Sequence, residues 1–328
     1  MAQLIKLQDY VSRYEIDIFK YPIQFVRLKK QHWTKVFDLW KNGYLHEPVE
    51  LCEWEEQEND EKKTWKNRLF HLFKREKEEE ERDHAVDIRR EEEFAFDSSR
   101  AEAITSEQEL KQHFLDQLFH FQLKWASSTF SEKSYVDLSY YSDETLRFLL
   151  QRFPDTVLLM YHPVFKLKKA PVDLEVLLIT PTHLWCITFL EEENEATFVG
   201  SKDRFWVKKW TDTEKKVLNP LISLNRMEHI VTSIFKKASV ELPIQKAVIC
   251  RNGYIDYPTA PYDVKLIDKR VFDEWFQHMR TVRSPLKHMQ LKGAKSLLDY
   301  CHTTSFKRNS AVLDMDIEEH WDEEELEQ

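Results

Sequence analysis

The sequence predicts a mixed α/β fold, and three observations carry that prediction. Between residues 107 and 125, apolar side chains recur at helical spacing. Five short strand-like segments follow between residues 156 and 207. A second amphipathic helix then opens at Asn219-Pro220 and leads into two further strand-like segments and another helix. Helix, strands, helix, strands in that order describe a sheet with helices packed on it.

Residues 1–43 read as two helices. In the second, Phe25, Leu28, His32, Val36, Phe37 and Trp40 fall near helical spacing, with Pro22 suited to its start and Asn42-Gly43 to its end. Lys29, Lys30 and Lys35 make this piece mildly basic, which allows a membrane-surface or nucleic-acid role; a packed or partner-binding helical pair is the plainer reading. Residues 51–104 change character. Runs such as EEQENDEKK and REKEEEERD carry few apolar residues and read as a solvated charged helix or linker, with WKNRLFHLF as a docking turn within it.

From residue 105 the pattern is globular. Leu110, Phe114, Leu118, Phe121 and Trp125 mark a long amphipathic helix. Ser142-Asp143-Glu144 opens a shorter one ending near Phe153-Pro154. Strands are expected at Thr156–Tyr161, Asp173–Thr180, Leu184–Leu190, Ala196–Val199 and Phe205–Val207, with Pro181 in the turn joining the second and third. Asparagine is a good helix cap and proline is tolerated in the first turn, so Asn219-Pro220 starts a helix whose buried stripe is Leu221, Leu224, Met227, Val231, Ile234 and Phe235. A strand at Ile244–Cys250, a turn at Asn252-Gly253, a strand at Val264–Ile267 and a helix bearing Phe272, Trp275, Phe276 and Met279 complete the core at residue 280. Residues 281–313 are expected to add a C-terminal helix, and residues 314–328 an acidic disordered tail.

Composition excludes several classes of function. The chain of 328 residues has only 4 glycines, so neither a Walker A loop nor a GxGxxG turn is present. Its net charge of −10 comes from the 51–100 stretch and the tail, which leaves the remainder slightly basic and compatible with nucleic acid. Cys52, Cys186, Cys250 and Cys301 form no CxxC pair and read as reduced thiols rather than zinc ligands. No apolar run approaches the roughly 18 residues needed to span a bilayer, and the first twenty residues lack the apolar core of a secretory signal. A cytoplasmic protein is expected.

Three segments carry a resemblance: VDLEVLLITPTHLWCITFL at 172–190, the aromatic and basic FWVKKW at 205–210, and NPLISLNRMEHIV at 219–231. With the element order, they make the chain resemble the nuclease-related domain (NERD) family of the PD-(D/E)xK restriction-endonuclease-like superfamily. The resemblance implies a restriction-endonuclease-like core over residues 105–280, flanked by helices and preceded by an N-terminal helical region over 1–50. It implies an acidic-x-Asp pair, which falls on Asp173 and Glu175, and a Glu-x-Lys pair, which falls on Thr188 and Leu190.

That departure matters chemically. An active enzyme of this type holds Mg²⁺ on carboxylates, and the metal polarises the phosphate and acidifies the attacking water. The lysine offsets charge in the transition state. Strand side chains return to one face every second residue, so that face here presents Cys186, Thr188 and Leu190, without charge. The favoured expectation is therefore an inactive nuclease-related protein with no cofactor, acting by contacts with DNA or another protein. A divergent Mg²⁺-dependent nuclease would need Asp173 and Glu175 as ligands, Glu192 from an extended strand, and a lysine from Lys166, Lys168 or Lys202. Against this, Glu191–Glu193 read more simply as a solvated hairpin turn.

Other candidates are weaker. His183 in a turn suits a general base but has no visible partner, and Cys186 lacks a histidine at recognisable spacing. Trp206 and Trp210, interleaved with Arg204, Lys208 and Lys209, form the best nucleic-acid-binding candidate, with edge-strand packing as an equal alternative. A scaffold acting through the N-terminal helices is a further reading.

Overall fold

A computed structural model describes residues 1–43, 45, 94, 96–97, 104–167, 170–282 and 284–308. In chain order the elements are β1 (Gln3–Leu7), α1 (Arg13–Ile16), α2 (Tyr21–Lys41), α3 (Glu107–Trp125), β2 (Glu132–Lys133), α4 (Ser139–Ser142), α5 (Glu144–Arg152) and β3 (Leu158–Tyr161). Then come β4 (Val164–Lys166), β5 (Pro171–Asp173), β6 (Val176–Ile179), β7 (Leu184–Phe189), β8 (Thr197–Val199), β9 (Phe205–Trp210) and β10 (Thr213–Leu218). The chain continues through α6 (Pro220–Ala238), β11 (Ile244–Cys250), β12 (Tyr254–Asp256), β13 (Val264–Asp268), α7 (Phe272–Thr281), α8 (His288–Leu298) and β14 (Phe306–Lys307). Two compact units result: one joins Met1–Val26 to the chain from Gln122 onward, and the other is Arg27–Phe121.

The first unit is a mixed α/β structure. Its six-stranded sheet has the order β1-β3-β6-β7-β11-β13. β1 is parallel to β3, β6 is antiparallel to both β3 and β7, and β7, β11 and β13 are parallel. Five strands thus point one way, and β6 alone opposes them. Both faces are covered, so β6 and β7 read as nearly unbroken apolar runs, with Val176–Ile179 and Leu184–Thr188 all buried. On one face, Cys186 pairs in register with Lys246, whose ammonium bonds Asn225 and Glu228 of α6. The other face meets aromatic rings: Trp185 packs against Trp275 of α7, and Phe153 contacts Phe148, Trp275 and Phe276.

A second, four-stranded sheet has the order β10-β9-β8-β12. Its centre is Trp206, fully buried, edge-on to Tyr257 at 5.4 Å, with Nε1 donating to the Ser201 carbonyl at 3.0 Å. Asn219 joins this sheet to α6. Its Oδ1 accepts from Leu221 N–H at 3.0 Å, and its Nδ2 donates to the Asp203 carbonyl at 2.8 Å. The Asn-Pro start expected from the sequence is therefore also a tether for the 201–203 loop.

In the second unit α2 and α3 contribute a cluster of rings. Trp33 packs on Phe37 and Phe114, and Phe94 packs on Phe114, Phe121 and His32. Burial, with Lys35 nearby, pulls the His32 imidazole down to about 4.

Several expectations need correction. The first of the two helices in residues 1–43 is instead strand β1 and the single turn α1. QLIKL is buried at every position, including Lys6, so it shows no alternation by which a strand could be recognised. The segment Asp173–Thr180 is two strands, because the chain leaves β4 at Asp173 and joins β3 from Val176. The strand at Phe205–Val207 extends to Trp210 and is followed by β10, and β12 follows the Asn252-Gly253 turn. The C-terminal helix occupies His288–Leu298 within the expected 281–313. The expectations for residues 51–93, for WKNRLFHLF and for the 314–328 tail lie outside the described residues. None of the described helices is long and apolar enough to cross a membrane.

Gly253 fits where no side chain would. A Cβ there would lie 2.4 Å from the Ala196 carbonyl oxygen, which accepts from Tyr254 N–H at 2.8 Å in the start of the β8–β12 pairing. The contact is with backbone and cannot rotate away. Gly253→Ala is expected to destabilise the fold by about 2 kcal/mol, read as a lower urea midpoint with an unchanged slope.

Candidate functional site at the carboxyl edge of the sheet

Because β6 opposes its neighbours, its first residues lie among the last residues of β3, β7 and β11. Carboxyl ends of parallel strands are where sheets of this kind usually hold ligands. The backbone there is unusual. Gln8 and His162, which follow β1 and β3, both have left-handed φ values of 43° and 48°. Gln8 N–H donates to the Tyr161 carbonyl at 3.0 Å, and His162 N–H donates to the Glu175 carbonyl at 2.7 Å. Burial lowers the pKa of the His162 imidazole, although Glu175, Asp143 and Asp173 oppose the shift.

Thr188 shares the α6 face with Cys186, while Val176 pairs with Ile187 on the opposite face. Continuing that register by one residue sets Glu175 across from Thr188. Thr188 is 5% exposed, and its Oγ1 is buried without a hydrogen-bond partner. Cys186, one turn of the pleat further in, is fully buried, and that burial raises its thiol pKa far above the ordinary value. This suits a structural thiol and not a nucleophile. Asp173 is exposed on β5, paired with Val164, and its carbonyl accepts from Arg226 of α6 at 3.3 Å.

Glu192 does not join the face of Thr188 and Leu190. It and Glu193 ion-pair with Lys208, which is only 4% exposed. Among the described residues, no group of three His, Cys, Asp or Glu side chains is placed to hold a metal ion, so Asp173, Glu175 and Glu192 are not brought together. Of the lysine candidates, Lys166 and Lys202 are exposed, and Lys168 lies outside the described residues. The acidic run lies in the loop between β7 and β8, partly exposed, and each of its carboxylates has a cationic partner. Glu191 pairs with Arg251, Glu192 and Glu193 with Lys208, and Glu195 with Lys269.

The α5 face of the same edge carries groups that sequence reasoning missed. Asp143 caps α5 by accepting from Leu146 N–H at 2.8 Å, and its other oxygen accepts from the Tyr161 hydroxyl at 2.8 Å. Burial and this carboxylate raise the Tyr161 pKa. Arg251 forks onto both oxygens of Glu191, donates to Thr145 Oγ1 at 3.1 Å, and lies 4.6 Å from the Phe148 ring centre. The signals available were an arginine directly after the Ile244–Cys250 strand and a glutamate directly after Leu190, two strand ends that meet only if β7 and β11 are parallel neighbours. The guanidinium and the tyrosine hydroxyl are thus held by Glu191 and Asp143, two carboxylates of this edge.

The predicted nucleic-acid patch divides across β9. Trp206 and Lys208 point inward and are buried. Arg204, Lys209 and Trp210 are exposed, as is Phe205 at 45%. Lys209 pairs with Glu214 at 3.0 Å, and Trp210 Nε1 donates to the Asn194 carbonyl at 3.2 Å. His183 lies away from this edge. Its Nδ1 is 2.9 Å from Thr182 Oγ1, and it lines a cavity at the amino ends of β7 and β11.

The chain is 35% identical over 130 residues to a protein named RNA 2',3'-cyclic phosphodiesterase from Geobacillus stearothermophilus. The match covers 37% of this chain and 36% of that protein, so the chain spans little more than a third of the relative's length. No family model matches the chain, and no solved structure matches it.

Two outcomes follow from the α6 face. Thr188→Val removes a buried hydroxyl that has no partner, so it is expected to raise stability by about 1 kcal/mol in urea titrations. Lys246 lies between Glu228 at 2.7 Å and Asp263 at 2.6 Å. Its hydrogen bond lowers the Asp263 pKa below the usual carboxylate range. The stability from that ionisation is present above the unfolded pKa of about 3.9 and is lost as pH falls through the lower folded value. Lys246→Met should therefore flatten the dependence of the urea midpoint on pH below about 4.

Proposed function

We propose that the chain is a nuclease-related domain protein that has given up metal-dependent cleavage and acts by binding nucleic acid. The fold reading is supported by the succession α5-β3-β6-β7-α6-β11, in which three antiparallel strands are followed by a helix and a strand parallel to the third. This is the order implied by resemblance to the restriction-endonuclease-like superfamily. The observation that carries the functional reading is the enclosed Thr188, whose hydroxyl has no hydrogen-bond partner. The position where the resemblance implies a second metal-binding carboxylate holds a buried hydroxyl. The exposed Arg204, Lys209 and Trp210 supply cations and a ring for a single strand, while Trp206 and Lys208 support them from the interior.

A second reading is favoured by the relative's name. A phosphoesterase acting on a cyclic phosphate end of RNA would use acid–base groups, and His162 beside Glu175, with Arg251 near, offers them on the carboxyl edge.

One set of assays separates these readings. The protein is incubated with single-stranded RNA and DNA, and with an RNA oligonucleotide ending in a 2',3'-cyclic phosphate, in Mg²⁺, in Mn²⁺ and in EDTA. Binding without turnover is expected, with an affinity that falls as salt rises. Arg204→Ala with Lys209→Ala should reduce the slope of log affinity against log salt by about 2. Divalent-dependent cleavage lost in Glu175→Ala would instead establish a divergent nuclease using Asp173, Glu175 and Glu192. EDTA-resistant opening of the cyclic phosphate, lost in His162→Ala, would establish the phosphoesterase.

A further inference from the structure

The two edges of the central sheet differ. β1 is buried at all five positions. β13 ends the strand order on the other side, and among the described residues it pairs with β11 alone. Alternate residues of an edge strand turn their N–H and C=O groups away from the sheet. Among the described residues, Val264 N–H donates to the Pro261 carbonyl at 3.2 Å and the Asp268 carbonyl accepts from Val271 N–H at 3.1 Å, while Leu266 between them has no backbone partner on the open side.

A groove runs along this edge, between β13 and α7. It has a volume of about 440 Å³ and is lined by Leu266, Ile267, Val271, Glu274 and His278. At the amino end of β13 it meets a deeper cavity of about 180 Å³, lined by Trp185, Trp275, Met279 and His183. Lys265, Trp275 and His278 belong to both, so groove and cavity are continuous. An apolar cavity of about 150 Å³ holds a benzene ring, which makes this one large enough for a single aromatic or branched side chain.

Two polar groups at the junction have unused capacity. Lys265 lies over the Trp185 ring at 4.8 Å, and among the described residues it pairs with no carboxylate. Trp275 Nε1 is buried with no hydrogen-bond acceptor. Glu274 lies along the groove rather than at the cavity. Negative charge on an occupant therefore belongs at the Lys265 end and not along the middle.

We infer that this edge is a docking site for the carboxyl-terminal segment of a partner polypeptide. The segment adds as a strand antiparallel to β13, places its last side chain in the cavity, and sets its terminal carboxylate against Lys265. A lysine on an edge strand is by itself a guard against unwanted pairing. Here it stands at the mouth of a cavity and beside a helix that walls the groove, the arrangement by which strand addition gains both backbone bonds and side-chain selectivity. The site lies at the amino ends of β7 and β11, away from the carboxyl edge, and does not depend on the function proposed there.

The test uses the full chain and three synthetic peptides of sequence Thr-Val-Thr-Val-Thr-X, acetylated at the amino end, with X as Phe, Tyr or Leu. Each is made as the free acid, as the carboxamide, and with alternate backbone nitrogens methylated. Titration calorimetry is expected to give a Kd below about 1 mM for at least one free acid. Its amide and N-methylated forms should bind about tenfold more weakly. Lys265→Gln, at an exposed position, should bring the acid down to the affinity of the amide. Failure of all three acids to bind, equal binding of acid and amide, or indifference to N-methylation would overturn the inference.

Discussion

The reversal of β6 is the constraint on which the rest of the first unit depends. A sheet whose other five strands run in one direction has all its carboxyl ends on one edge. Inserting one opposed strand at its centre brings a strand beginning to that same edge. The first residue of β6, Val176, thereby pairs with both Tyr161 and Ile187, and Tyr161 reaches the cap of α5. The reversal also shortens the path: β3 reaches β6 through the small β4–β5 pair, a turn joins β6 to β7, and the long excursion through the second sheet returns in α6, which crosses to β11.

Burying both faces of such a sheet leaves little room for charge, yet three lysines are almost wholly enclosed. Lys6 bonds the Tyr10 carbonyl at 2.7 Å and Thr303 Oγ1 at 2.9 Å and pairs with Glu15. Lys208 has Glu192 and Glu193, and Lys246 has Glu228 and Asp263. Removing a charge from water costs several kcal/mol, and the cost is met only where partners saturate the ammonium. Each of these lysines has two or three such partners, and each bridges segments distant in sequence. Their contribution is to fix which segments lie together rather than to add much net stability.

Much of this was legible from local chemistry. Asn219-Pro220 declares a helix start through the residue types alone, and Ile244–Cys250 is an apolar run of strand length between turn signals. β10 was not legible: TEKKVL is exposed apart from the half-buried Val217 and pairs along its length with β9. The break at Leu174 reflects a change of partner from β4 to β3, which no single segment records. Glu191 and Arg251 are 60 residues apart and meet through the parallel pairing of β7 and β11. The division of the aromatic patch could have been anticipated, since alternation alone puts Trp206 and Lys208 on one face and Phe205 and Lys209 on the other.

The enclosed hydroxyl of Thr188 also limits which side chains that position can accept. A carboxylate introduced at that position would be buried beside Val248, where Thr188 is now 5% exposed. Such a side chain would either stay protonated or unsettle the sheet. A single substitution could not make it a working ligand. A positive group or a bound ion would have to be present for a carboxylate to sit there ionised.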